Sequence, residues 1–148
     1  MDLWRISKYP SLTGEGGRLY SARWNSIGAP IVYLAATPPG ALLEMLVHLE
    51  LKATTLPPTY TLLRVSAPDK LRIPSLKVPP GDTWKENESI TRKIGDTWLK
   101  SRRSALARVP SAILPNTFNY LFNPLHPDAP RIKIAEIQRA ILDPGLIR

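Results

Sequence analysis

Glu44 is the residue whose surroundings are most unusual, because it interrupts an apolar stretch at residues 41–51 (ALLEMLVHLEL). An unpaired carboxylate among apolar side chains is costly. Glu44 must therefore face solvent, pair with an arginine such as Arg5 or Arg23, or serve as a catalytic carboxylate at a cleft. His48 follows four residues later and shares the same face of a helix. This pair has no third ligand at a recognisable spacing and the HExxH pattern is absent, so the sequence predicts no metal site.

A glycine-rich stretch at residues 14–25 (GEGGRLYSARWN) carries two arginines, Arg18 and Arg23. It lacks the GxGxxG and GxxxxGK spacings and leads to a strand rather than a helix, which excludes the P-loop and dinucleotide-fold interpretations. Arginines beside flexible glycines suit bidentate hydrogen bonding to a diphosphate. The alternative is a mobile surface loop with solvated arginines.

Three further positions could carry chemistry. Tyr33 lies in a predicted buried strand, either as a core residue or as a cleft floor that stacks on a flat ring. Ser111 lies between two short predicted strands without a GxSxG elbow, so a serine hydrolase is not indicated and a turn-forming role is the alternative. Residues 119–127 (NYLFNPLHP) are typical of a rigid loop, and His126 within it is interpreted as a surface histidine.

Composition limits the architecture that must position these side chains. The chain has 148 residues, of which 43% are apolar, and this is sufficient for one domain with its own core. Its 16 prolines are roughly twice the usual share of about 5%, which argues against a helical bundle. The absence of cysteine excludes disulfides, a thiolate nucleophile and a zinc-thiolate site. No secretory signal and no membrane-spanning apolar run is found, so we expect a soluble cytoplasmic protein.

The formal net charge of +8, from 20 basic and 12 acidic residues, has three interpretations. The chain could bind nucleic acid, an acidic protein partner or a small anionic ligand. The densest basic group lies at residues 92–108. It lacks interleaved aromatic residues and any known nucleic-acid-binding motif, which counts against a nucleic-acid-binding module.

Periodicity predicts a single α+β domain spanning residues 1–148, with small mixed or antiparallel sheets and a central buried helix. The helix is the segment 41–51, apolar nearly all round, with Thr37 as its candidate cap. A second helix is predicted at residues 84–103, where Ile90, Ile94 and Trp98 recur every four residues. Strands are predicted at 3–6, 31–35, 59–66, 105–109, 112–114 and 131–134, with a loop at 117–130 and a weakly helical or extended tail at 135–142.

The order of these motifs resembles the RES domain, over roughly residues 3–144. The resemblance depends on an ordered set rather than on one decisive motif. Its members are WRI (4–6), ARWN (22–25), IVYLA (31–35), ALLEMLVHL (41–49), a helix with Asp96 and Trp98, RVPSAILP (108–115) and NYLFNP (119–124).

The resemblance implies a fold like that of ADP-ribosyltransferases and a toxin of a type II toxin–antitoxin pair that degrades NAD, its substrate, by hydrolysis or phosphorolysis. Cleavage of the nicotinamide–ribose bond needs no metal. By the same resemblance, six residues would form the site. Glu44 would stabilise the oxocarbenium-like state, Arg5 and Arg23 would bind the diphosphate or adjacent hydroxyls, Tyr33 would stack on nicotinamide, and Ser111 and Asn119 would orient the substrate or Glu44.

Two alternatives stay open at this stage. The same site could transfer ADP-ribose to a protein, and the chain could instead be a basic nucleic-acid-binding module. Nicotinamide release from NAD without a protein acceptor separates NAD degradation from transfer of ADP-ribose to a protein. The expected partner is an Xre-like antitoxin covering the cleft lined by Arg5, Arg23 and Glu44, with nucleic acid contacted only through that antitoxin. A homodimer is left open and no membrane contact is expected.

Overall fold

Within residues 1–48 and 57–146, which a computed structural model describes, the chain forms six β-strands and four α-helices. The α+β class predicted from the sequence is confirmed. The strands are β1 (Asp2–Ile6), β2 (Val32–Ala35), β3 (Thr59–Ser66), β4 (Leu106–Pro110), β5 (Phe118–Phe122) and β6 (Lys133–Ile141). The helices are α1 (Glu15–Leu19), α2 (Pro38–His48), α3 (Thr83–Glu86) and α4 (Glu88–Ser101). Short 3-10 turns lie at Ala129–Arg131 and Pro144–Leu146.

All six strands form one sheet in the order β4-β5-β2-β1-β3-β6, and each neighbouring pair is antiparallel. The small separate sheets expected from the sequence are joined because β1 pairs with both β2 and β3. The register places Trp4 opposite Ala35, Ala35 opposite Asn119, and Asn119 opposite Val109. Positions on four successive strands therefore lie side by side on one face of the sheet.

The two faces of the sheet carry two separate hydrophobic clusters. Alternation along β2 sends Leu34 to one cluster and Tyr33 to the edge of the other. The first cluster is built on Leu3, Val32, Leu34, Leu63, Val65 and Phe122. The second is built on Trp24, Trp84, Trp98, Leu99, Val109 and Leu121, and so attaches α3 and α4 to the sheet. Trp98 is almost fully buried, and its indole N–H donates to Ser104 Oγ at 2.9 Å.

Helix α2 is less buried than its composition predicts. Ala41 is its buried residue, whereas its other side chains are half-buried or exposed. The helix contacts β1 and β2, and one side of it borders an open cavity, which explains why apolar composition alone overestimated its burial. The predicted cap is confirmed, because the Gly40 amide donates to Thr37 Oγ1 at 3.1 Å. Residues 49–51 of the predicted helix lie outside the described residues.

Four other predictions differ from the structure. The glycine-rich stretch contains the short helix α1, and the predicted loop at 117–130 contains β5. Residues 112–114 form no strand. Of the two alternatives for the tail at 135–142, the extended one is confirmed, because β6 covers most of it. Strand β5 forms because β4 and β2 pair with it on both sides, and sheet pairing overrides the weak strand preference of its asparagine. The predicted helix 84–103 is divided into α3 and α4 at Asn87, which caps α4 by accepting from the Ser89 amide at 3.1 Å.

Candidate active site

A cavity of about 380 Å³ lies between α2, the loop at residues 22–24 and the centre of the sheet. Its walls are mostly apolar, with side chains such as Trp4, Ile6 and Met45. Five of the six site residues predicted from the resemblance line it, and the sixth, Ser111, reaches it through Glu44. The five are Arg5, Arg23, Tyr33, Glu44 and Asn119.

Glu44 projects from α2 toward the sheet, and its side chain is 28% exposed. Asn119 on β5 donates its side-chain N–H to Glu44 Oε1 at 2.8 Å. Ser111 Oγ lies 3.5 Å from the same oxygen, and itself accepts from the amides of Ile113 and Leu114. Among the described residues, no arginine forms an ion pair with Glu44, so the interpretation of Glu44 as an arginine's partner is wrong for this part of the chain.

His48 is the basic residue beside Glu44. Its Nε2 lies 3.7 Å from Glu44 Oε2, an ion-pair distance rather than a hydrogen-bond distance. Burial would raise the pKa of Glu44, but the interactions with His48 and Asn119 outweigh it, and the pKa is lowered. The pKa of His48 is raised, mainly by Glu44. Glu44 is therefore a carboxylate rather than a carboxylic acid at neutral pH.

Arg5 lies on β1 and is largely buried. Its Nη1 donates to the backbone carbonyl of Tyr33 at 3.0 Å, whereas its Nε has no hydrogen-bond partner in the part of the chain that the structure describes. Burial lowers the pKa of Arg5, but an arginine stays charged in a protein. Arg5 thus brings a positive charge to the cavity wall, whereas its Nε is enclosed by the protein.

Arg23 lies on the loop between α1 and β2. Its Nη1 donates to the carbonyl of Lys85 at 3.0 Å, which ties the guanidinium to α3. Arg18, the other arginine of the glycine-rich stretch, does not line the cavity; its side chain is 57% exposed and lies 3.6 Å from Glu15. The structure therefore separates two arginines that the sequence treats alike.

Tyr33 lines the cavity, but its hydroxyl is engaged elsewhere. It donates to Asn25 Oδ1 at 2.5 Å and accepts from the Trp24 amide at 3.1 Å. Burial raises the pKa of the Tyr33 hydroxyl well above its ordinary value. The stacking role of Tyr33 stays a prediction, whereas its contacts with the loop that carries Arg23 are a feature that sequence reasoning missed.

Two other residues differ from their sequence-based interpretation. The sequence raises His48 only as a metal ligand, yet it is the ion-pair partner of Glu44, and its position one turn after Glu44 is the signal for that pair. His126 is not a surface histidine: its side chain is only 12% exposed, and Nδ1 accepts from the Asp128 amide at 3.0 Å.

Across residues 1–48 and 57–146, no three His, Asp or Glu side chains are grouped closely enough to hold a metal ion. None of the helices described is both long and apolar enough to cross a membrane.

The arrangement can bind a ligand of mixed character. The apolar walls suit a flat ring, the two arginines suit an anion, and the ionised carboxylate suits a centre that becomes positive during a reaction. One hydrogen bond from Asn119 orients the carboxylate before any ligand arrives.

Comparison with known proteins gives a consistent result. The RES domain family model matches residues 2–143. A protein of Pseudomonas putida named Toxin Res is 47% identical over 137 residues, which cover 90% of this chain and 92% of that protein. A protein of a Sphingobium species named Prs ADP-ribosylating toxin is 34% identical over 158 residues, covering 99% of this chain and 97% of that protein. Another Toxin Res, from Photorhabdus laumondii, is 35% identical over 86% of this chain and 85% of its own length.

Proposed function

The chain belongs to the RES domain family, and from this premise we propose that it is a toxin enzyme that cleaves the bond between nicotinamide and ribose in NAD. The observation that carries the proposal is the carboxylate of Glu44, held by Asn119 at 2.8 Å in a cavity that two arginines also line.

The chemistry of the bond explains why a carboxylate is needed. When the bond between C1′ and the pyridinium nitrogen breaks, its electron pair leaves with nicotinamide and positive charge develops on the ribose. A carboxylate that is already ionised and oriented stabilises that charge more than it stabilises the ground state. An acceptor oxygen then bonds to C1′ and loses its proton. Nicotinamide leaves as a neutral molecule, so the reaction requires neither a metal nor a covalent nucleophile.

The arginines account for binding. NAD carries a diphosphate, and the two arginines Arg5 and Arg23 line the same cavity as Glu44, from β1 and from the 22–24 loop. An oxygen of the substrate would accept from the terminal N–H groups of these two guanidinium groups. Charge-assisted hydrogen bonds of this kind are about twice as strong as neutral ones.

The test is incubation of the purified protein with NAD, with and without inorganic phosphate, followed by separation of the products. We expect free nicotinamide in both cases, with ADP-ribose when water is the acceptor and ADP-ribose 1″-phosphate when phosphate is. An intact NAD pool after prolonged incubation with folded protein contradicts the proposal.

Transfer of ADP-ribose to a protein is the second candidate, and the relative named Prs ADP-ribosylating toxin favours it. Both reactions use the same cleavage step and differ in the acceptor. Release of nicotinamide only when a cell extract is added, with ADP-ribose attached to one protein, would support transfer over hydrolysis or phosphorolysis.

We further propose that the chain is the toxin of a type II pair, in the cytoplasm, and that an Xre-like antitoxin covers the cleft. A net charge of +8 favours fast association with an acidic partner by electrostatic steering. Co-purified antitoxin is expected to suppress NAD cleavage at one equivalent per site. Saturating partner that leaves turnover unchanged, or tight binding of duplex DNA at physiological salt without any partner, contradicts this arrangement.

A further inference from the structure

The peptide bond between Arg23 and Trp24 is held at both of its polar atoms by side chains from two different elements. The Trp24 amide donates to the hydroxyl of Tyr33 on β2 at 3.1 Å. The Arg23 carbonyl accepts from the hydroxyl of Thr91 on α4. Because a peptide unit is planar, fixing its N–H and its C=O fixes the whole plane and with it the Cα of Arg23, from which the side chain extends.

Asn25 connects this peptide to the rest of the loop. It is completely buried, and its Oδ1 accepts from the Tyr33 hydroxyl at 2.5 Å. Its Nδ2 lies within hydrogen-bond distance of three backbone carbonyls of the surrounding turn, those of Gly17, Tyr20 and Ser26. The Tyr33 hydroxyl thus serves both the Arg23–Trp24 peptide and the residue that organises the turn around it.

Helix α4 holds the same loop from the other side. Ser26 donates through its amide and its hydroxyl to the Asp96 carboxylate, at 2.9 and 2.6 Å. Gly95 lies so close that a Cβ there would be 1.8 Å from the Trp24 carbonyl oxygen. The loop backbone therefore lies directly on the helix with no space for adjustment.

We propose that Tyr33 and Thr91 are positioning residues that hold Arg23 in the direction of the substrate's anionic group. This inference rests on the proposed function. A guanidinium that is oriented before binding loses less conformational entropy when it meets a diphosphate. The two hydroxyls therefore contribute mainly to substrate binding, whereas Glu44 on α2 contributes to the chemical step.

The variants that test this are Tyr33→Phe, which keeps the ring, and Thr91→Val, which keeps the shape. Thr91→Ser restores the hydroxyl. Thr97→Val is the matched control, because Thr97 lies on the same helix and donates only to the carbonyl of Lys93 in its own helix, at 2.8 Å. Thermal unfolding verifies that each variant is folded.

We expect Tyr33→Phe and Thr91→Val to raise KM for NAD about tenfold with kcat nearly unchanged. Thr91→Ser and Thr97→Val are expected to behave as wild type. In an Arg23→Ala background, Tyr33→Phe and Thr91→Val should have little further effect, since they act through Arg23. Additive losses in that background, or a fall in kcat alone, would overturn the positioning role.

A second readout needs no turnover. Trypsin cleaves after arginine, so the held Arg23–Trp24 bond is itself a site for native-state proteolysis. Cleavage there, followed by mass spectrometry of the fragments, should be faster in Tyr33→Phe and Thr91→Val than in wild type and Thr97→Val. Calorimetry with ADP-ribose should show the same order of weakened binding. If cleavage after Arg23 is unchanged in both variants, the positioning role is refuted even when the wild type cleaves NAD. If the wild type does not cleave NAD but proteolysis and calorimetry behave as expected, only the proposed reaction is refuted.

Discussion

The two sides of the cavity are built in different ways. On the carboxylate side, Glu44 projects from a half-buried helix and is held by Asn119, with Ser111 and His48 close by. On the arginine side, Arg23 lies in a loop whose backbone is tied to β2 and α4, beside the buried cluster of Trp24, Trp84 and Trp98. The ring centroids of Trp24 and Trp84 are 6.4 Å apart.

This difference indicates how each side responds to substitution. A change at Glu44 alters charge but disturbs few packed neighbours, so its effect should be almost purely chemical. A change in the loop or in α4 moves packed backbone, so geometry and stability should change together. Substitutions on each side of the cavity test that division.

The largest effect is expected for Glu44→Gln. The substitution keeps the size of the side chain and removes the charge that we assign to stabilising the oxocarbenium-like state. Losing one such group typically costs about 100- to 1,000-fold in kcat, or about 2.7–4 kcal/mol. NAD turnover of the purified variant, with urea unfolding as the control for folding, measures it. Full activity in a folded Glu44→Gln or Glu44→Ala protein would show that the site is assigned to the wrong residue.

Gly95→Ala, on the arginine side, should change the packing of the loop and the stability of the protein rather than the charge of the site. The added methyl group would meet the Trp24 carbonyl at 1.8 Å, so helix and loop must separate. We expect a loss of about 1–3 kcal/mol in the free energy of unfolding, as for other overpacked sites, and a higher KM for NAD.

Gly16→Ala is the matched control for Gly95→Ala. Gly16 also lies in a helix, but a Cβ there meets no atom of the described residues within 4 Å. Its replacement should leave the free energy of unfolding unchanged or slightly raised, because alanine favours the helix. Equal unfolding curves for the two variants would mean that the loop does not lie against α4 as the structure has it.

The fold was predictable where local pattern and pairing agree. Strand β3 lies at the predicted residues 59–66, where Leu63 and Val65 on one face are buried and the alternating Leu62 and Arg64 are half-buried. Strand β5 was missed because its asparagine and the prolines after it favour loops. Its formation depends on β4 and β2, which are distant in the chain.

For the candidate site, only the grouping of its residues was predictable, and their roles stay predictions. The six residues came from the resemblance to the RES domain, and the structure brings them together around one cavity. Their contacts were not predictable. The bond between Tyr33 and Asn25 crosses a turn, and the bond between Thr91 and Arg23 joins residues 68 positions apart, so no spacing rule connects them.

Arginine-to-lysine substitutions give a smaller effect that compares the two arginines directly. Lysine keeps the charge of Arg5 and Arg23 but lacks the planar fork that binds a diphosphate bidentately. We expect each variant to raise KM for NAD by about tenfold, equivalent to about 1.4 kcal/mol. Initial rates at low NAD measure this. Wild-type rates in both variants would mean that the two arginines are structural or solvated.

The smallest effect is expected for His48→Gln, and it depends on pH. The pKa of His48 is raised by Glu44, so its contribution to stability is complete below its unfolded pKa of about 6.5 and is lost as the pH rises through the folded pKa. The pKa of Glu44 is lowered, so its contribution is present above its unfolded pKa and is lost as the pH falls through the folded value. The ion pair is therefore complete only between these limits, near pH 6.

Because the His48 side chain is 67% exposed, we expect His48→Gln to cost less than about 1 kcal/mol at pH 6 and nothing measurable at pH 9. Urea unfolding of both proteins at the two pH values measures this. A difference that persists at pH 9 would show that the ring of His48 stabilises α2 by packing, and that the carboxylate side is more firmly built than its contacts indicate.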